Sequence, residues 1–208
     1  MKIQQPGDVL EQDNTTHAEW KDNLLLSYPY ATMDDSVNVI RKCISCGDID
    51  DSVKLLEAIS PALIAKQRYD ELITLWTSCR ESILKAPTRY SPQLRAAATW
   101  DYIVALVQRP EPPNQQLKET IYSALDDLHS IVTDKTFGDK STRRWREAQW
   151  YQDCALIYGR CLEFDRALKA VSQAISLFGE CYDKQKKSDC LHLRKGLRKL
   201  KDLQLIEQ

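Results

Sequence analysis

With 208 residues, 43% of them apolar and 28% charged, the chain has ordinary globular usage and room for one well-buried core or a short solenoid, which excludes disorder throughout. A net charge of -1 excludes a polyelectrolyte that binds nucleic acid or anionic membrane over its whole surface, so any such surface must be local. Six glycines and eight prolines are too few for a sandwich or barrel, which needs a turn residue roughly every eight to twelve positions, and helices are favoured instead.

Residues 1–20 carry Gln4, Gln5, Pro6, Gly7, Asp13 and Asn14 without periodicity and are expected to form a flexible tail, leaving 21–208 as a single helical domain. Lys2 is followed by polar residues rather than by the apolar core of a secretory signal, and no later stretch approaches the roughly eighteen apolar residues of a membrane span. The cysteines at 43, 46, 79, 154, 161, 181 and 190 are odd in number and fall mostly inside predicted helices, which suits reduced, buried thiols better than a disulfide framework. A cytoplasmic or nuclear address is the expectation.

The segment Trp20–Tyr30, with three successive leucines at 24–26, is apolar enough to dock on the body, and Tyr28-Pro29 discourages helix beyond it. Asp34 and Asp35 then precede Val37, Ile40 and Ile44 at helical spacing, with carboxylates where the helix dipole favours them. Gly47-Asp48 stops that helix, and Asp50-Asp51 start another through Val53, Leu55, Leu56 and Ile59. Ser60-Pro61 reads as an N-cap with a first-turn proline, so a new short helix is expected from Ala62, with Tyr69–Leu84 as its partner.

Ser91-Pro92 repeats that start signal. The following helix is apolar around more than half its circumference, through Leu94, Ala97, Ala98, Ile103, Val104 and Val107, and is expected to be central. The proline-rich run at 109–113 breaks it, and Asn114 caps an amphipathic helix with Leu117, Ile121, Ala124, Leu125, Leu128 and Ile131 on one face. Thr136–Thr142 reads as a polar loop. Arg143–Gly159 and Phe164–Phe178 form a further pair, and a basic helix from Lys184 to about Ile206 closes the chain, with Leu193, Leu197 and Leu200 as its seam. About nine helices and no strand are expected, hence an all-α fold.

Within 148–177, Ala155 and Tyr158 supply a small residue and an aromatic on the first helix, Glu163-Phe164-Asp165-Arg166-Ala167-Leu168 forms the turn, and Ala174 supplies the small residue of the second. This pattern resembles a tetratricopeptide repeat, in which closely packed helices need Ala-sized contacts on one side and aromatic filler on the other. Gly47–Ser52 and Arg68–Leu72 resemble the same turn, whereas residues 91–134 do not follow the pattern. The resemblance implies a short right-handed superhelix of antiparallel hairpins, with an irregular helical bundle as the alternative. It also implies a groove, lined by first helices, that takes a peptide or partner subunit. The groove positions are Gln149, Gln152, Leu156 and Arg160 in the last copy and Asp34, Val37, Arg41 and Ser45 in the first. These departures from the family's Lys/Asn carboxylate clamp argue against a heat-shock cochaperone.

Catalytic and cofactor chemistry find little purchase. Cys43-Ile44-Ser45-Cys46 has metal or redox spacing, but zinc requires two further ligands, for which only Cys190 and His192 offer themselves. His17, His129 and His192 stand in no nucleophile motif, and no glycine-rich phosphate loop occurs. No enzyme, metal or cofactor is expected.

Two basic clusters remain. Arg143, Arg144 and Arg146, with Trp145 and Trp150, stand at a helix start, where positive charge opposes the dipole and suggests a contact. Arg194, Arg198 and Lys199 lie on the terminal helix, which is expected to cap the core while offering a charged face to an acidic partner. A noncatalytic scaffold or adaptor within a larger assembly is therefore the expected function, holding an acidic or extended peptide segment. A nucleic-acid-associated factor using the terminal basic helix is the alternative.

Overall fold

A computed structural model describes residues 32–206. The expected tail at 1–20 and the segment Trp20–Tyr30 lie outside the described residues. Among those residues the chain is all-α, with eight α-helices, two short 3-10 turns and no strand. None of these helices is long and apolar enough to cross a membrane. The chain divides into two compact units, Met1–Ala62 and Leu63–Gln208, and the boundary falls within the second helix.

In the first unit, α1 spans Met33–Cys46 and α2 begins at Ile49 and runs to Ala65. Thr32 starts α1 through a reciprocal capping box: its Oγ1 accepts from Asp35 N at 3.2 Å, while Asp35 Oδ2 accepts from Thr32 N at 3.1 Å. These bonds hold the Asp35 carboxyl below its ordinary value. Val37, Val39, Ile40 and Cys43 on α1, with Ile49, Val53, Leu55, Leu56 and Ile59 on α2, form the unit's buried apolar set.

The new helix expected at Ala62 does not occur. α2 runs uninterrupted from Ile49 to Ala65 with Pro61 inside it. Proline removes one i to i−4 hydrogen bond and crowds the carbonyl of Glu57, but both residues lie on the exposed face, where solvent can satisfy that carbonyl. Ser60 does not cap a helix; its hydroxyl donates back to Leu56 O at 2.6 Å.

The second unit contains α3 (Tyr69–Lys85), α4 (Pro92–Val107), α5 (Gln115–Thr133), α6 (Lys140–Arg160), α7 (Phe164–Glu180) and α8 (Lys184–Ile206), each packed on the next in sequence. Side-chain caps begin four of them at the residues whose chemistry demands it: Ser91 accepts from Leu94 N, Asn114 from Leu117 N, Asp139 from Thr142 N and Asp183 from Lys186 N. The 110–113 prolines separate α4 from α5, as the sequence requires.

Four helix C-termini share one geometry. At Gly47, Gln67, Leu162 and Tyr182 the chain adopts φ of 83°, 57°, 62° and 58°. In each, that residue's N–H donates three residues back and the next residue's N–H five residues back, as with Leu162 to Gly159 O at 3.1 Å and Glu163 to Tyr158 O at 2.8 Å. This is the Schellman closure, which satisfies the helix's last carbonyls and ends the helix. Only the first copy uses glycine; the other three hold side chains in left-handed backbone.

α8 departs from its expected seam. Cys190 and Leu197 are buried, Leu193 is half-buried and Leu200 is 52% exposed. One turn beyond Leu197, Lys201 is half-buried and its Nζ pairs with Asp165 at 2.5 Å. Gly159 makes the Leu197 contact possible, because a Cβ there would stand 2.9 Å from Leu197 Cδ2.

A cleft lined by α4 and α6 as the candidate functional site

A cleft of the second unit has a volume of about 410 Å³ and is lined by α4, α5, α6 and the 3-10 turn Lys135–Phe137. α4 contributes Gln93, Ala96, Ala97 and Trp100; α5 contributes Leu128 and Val132. α6 contributes Arg146, Gln149, Trp150 and Asp153, and Phe137 completes the lining. α4 is therefore not enclosed on all sides as its apolar circumference suggests: Ala98, Ile103 and Leu106 are buried, while Ala96, Ala97 and Trp100 are half-buried in the cleft wall.

The lining is held in place by hydrogen bonds to backbone. Trp150 Nε1 donates to Leu125 O at 2.9 Å, which fixes the indole, and His129 lies against its ring with centroids 4.2 Å apart. Gln93 Nε2 donates to Phe137 O at 3.2 Å and ties the 3-10 turn to the start of α4. His129 Nε2 and Gln152 Oε1 are buried without a hydrogen-bond partner among the described residues.

Asp153 is the one acidic side chain in the lining. It accepts from Gln149 Nε2 at 2.9 Å and forms no ion pair within 4 Å among the described residues. Burial pushes its carboxyl up to about 6; the Gln149 bond and the charge of Lys186 on α8 act the other way without cancelling that effect. Arg146 also lines the cleft, with its guanidinium 5.1 Å from the ring centroid of Trp145. Trp145 is itself turned toward the α7–α8 side, donating to Asp183 Oδ2 at 3.0 Å and meeting Phe178 edge-on.

The residues expected from sequence to meet a partner fall in different places. Gln149 and Arg146 line the cleft, Gln152 is half-buried beside it, and Leu156 is exposed. Arg160 is engaged by the fold, donating to the carbonyls of Val107, Arg109 and Pro110 and so closing the end of α4. Arg144 bonds Glu180 at 2.8 Å and Glu147 at 2.9 Å, while Arg143 lines a shallow depression with Lys135 and Lys140. On α8, Arg194 is half-buried and Arg198 and Lys199 are exposed. In the first unit, Val37 is buried in the core and Arg41 is exposed, its Nη1 3.4 Å from Asn38 Oδ1. Sequence reasoning did not single out Trp100, Phe137 or Asp153. The breadth of the apolar arc on α4 was the available signal for the first, and the second sat in a stretch read as polar loop.

The cysteines show no constellation. Cys43, Cys79, Cys154, Cys161 and Cys190 are buried, Cys181 is half-buried and Cys46 is exposed. Burial raises the thiols of Cys154 and Cys161 and pushes Cys190 up to about 11. Among the described residues no three His, Cys, Asp or Glu side chains are placed to hold a metal ion.

No family model matches the chain, and no curated protein or solved structure matches it either.

Proposed function

We propose that the protein is a noncatalytic adaptor that holds an extended segment of a partner protein in the cleft between α4 and α6, as one subunit of a larger assembly. The cleft carries this reading. Its size suits a few side chains of a peptide, its walls combine aromatic and alanine surface with two glutamines, and its indole is pre-set by the Trp150 to Leu125 bond. Glutamine amides supply both a donor and an acceptor, which suits pairing with the backbone of an extended chain, while aromatic walls take its side chains. The tetratricopeptide resemblance and the four like helix ends support the same use.

The test is selection from a displayed random-peptide library with the full chain, followed by affinity measurement on the wild type and on Ala97→Phe, which fills the cleft without removing a partner group. Selected peptides are expected to lose at least about tenfold in affinity on Ala97→Phe. Binding that is indifferent to Ala97→Phe, or binding lost instead on neutralising Arg198 and Lys199, would move the interaction site away from the cleft.

A further inference from the structure

We infer that the segment held in this cleft carries a lysine or arginine side chain that seats against Asp153, so that the partner is basic at that position; the inference rests on the cleft being the peptide site. Three observations on the lining converge on a cation.

The first is a carboxylate without a counter-ion. Asp153 has Gln149 as its hydrogen-bond partner, and a neutral amide cannot balance its charge. Three charged groups bear on the question. Lys186 approaches from α8 but forms no ion pair with Asp153 within 4 Å, and Asp189 on α8 is a second carboxylate; Arg146 lies on α6 itself; and α4 and α5 place no charged side chain in the lining. The negative charge at Asp153 is left for a ligand.

The second is the wall around it. Trp100, Phe137 and Trp150 line the same cleft, and aromatic faces attract cations through their quadrupoles, more strongly where water is scarce. An aliphatic stem ending in a charge suits this combination, because the stem covers apolar wall and the head reaches the carboxylate.

The third is the placement of Arg146. It lies seven residues before Asp153, about 10 Å along the helix axis, and its guanidinium stands over Trp145. It therefore leaves Asp153 uncompensated and disfavours a second positive charge about three residues further along an extended peptide, where the rise is about 3.3 Å per residue. The expected segment has one basic residue, with a neutral or acidic residue three positions away on the Arg146 side.

The raised Asp153 carboxyl agrees with this geometry, because a bound cation would return it toward its ordinary range. The test uses acetylated and amidated heptapeptides Ser-Ala-Leu-Xaa-Leu-Ala-Ser in which Xaa is lysine, arginine, norleucine or glutamate. Binding to the full chain is read from the indole N–H resonances of Trp100 and Trp150. Lysine and arginine peptides are expected to bind about tenfold more tightly than norleucine, which shares the stem without the charge. Asp153→Asn should reduce them to the level of the norleucine peptide measured on the same variant.

Equal binding of lysine and norleucine, or a lysine preference that survives Asp153→Asn, overturns the inference and leaves the cleft as a peptide site. Tighter binding of the glutamate peptide overturns it in favour of an acidic segment on Arg146. If none of the four peptides shifts either indole, the peptide-binding reading and this inference fail together.

Discussion

Gln149 and Asp153 form a hydrogen bond of 2.9 Å one turn apart on α6, and it is too weak to offset the burial of the carboxylate. The Asp153 carboxyl stands at about 6 in the folded chain, against an ordinary value of 3.8. Between those values the native state binds more protons than the unfolded state, so this group's contribution to stability is largest at low pH and falls as pH rises through the window. Asp153→Asn removes the effect. The variant is expected to be the more stable protein at pH 7.5, by on the order of 1–2 kcal/mol after allowance for solvent at the cleft mouth, and to match wild type near pH 3, below the unfolded value. Urea denaturation at the two pH values measures the difference, and identical differences at both would remove the electrostatic account of Asp153.

Tyr182 is 90% exposed and holds φ at 58°, a left-handed conformation that costs a non-glycine residue free energy and that its side chain does not recover by packing. Tyr182→Gly should therefore stabilise the second unit by about 0.5–1 kcal/mol, part of the gain being offset by the greater freedom of glycine in the unfolded chain. Thermal unfolding is the measurement. A fall in Tm would mean that the tyrosine makes a stabilising contact.

Arg160 bridges the end of α6 to three carbonyls at the end of α4, so its replacement should be felt in the fold before it is felt by any ligand. Arg160→Met is expected to cost up to about 1 kcal/mol and to speed amide exchange across 107–114. Unchanged exchange there, with a change confined to peptide affinity, would return Arg160 to the partner-binding surface.

Thiol reactivity should follow exposure. Cys46 is exposed and Cys181 half-buried, whereas the other five cysteines are buried, three of them with thiols raised by that burial. An aromatic disulfide reagent on the native chain at pH 8 is expected to modify Cys46 first and Cys181 more slowly, with the remainder reacting only on unfolding. Rapid native modification of Cys154 or Cys161 would contradict the packing of α6.

Local chemistry was the legible part of the fold. Ser91, Asn114 and the prolines at 110–113 announce their boundaries because a cap or a missing N–H acts within a few residues, and the amphipathic face of α5 buries as its spacing requires. Pro61 misled because its placement on an exposed helix face, which makes it tolerable, depends on packing that dipeptide chemistry does not encode. Leu200 continues the leucine spacing of α8 yet lies open, because the underlying surface ends at Asp165, which takes Lys201. The cleft was legible in part: the tetratricopeptide resemblance pointed to Gln149, and the basic cluster at a helix start to Arg146 and Trp150, whereas Trp100, Phe137 and Asp153 join them only through contacts spanning dozens of residues, as Gln93 with Phe137 shows.

The most direct test of the central claim is to follow the tryptophan indole resonances of the isotopically labelled full chain while adding a peptide selected against it. Trp76, fully buried in the second unit, serves as the internal control. Saturable shifts at Trp100 and Trp150, with Trp76 unmoved and the shifts abolished by Ala97→Phe, are the expected result. A peptide that binds with both cleft indoles unmoved would contradict the account and place the partner site elsewhere on the protein.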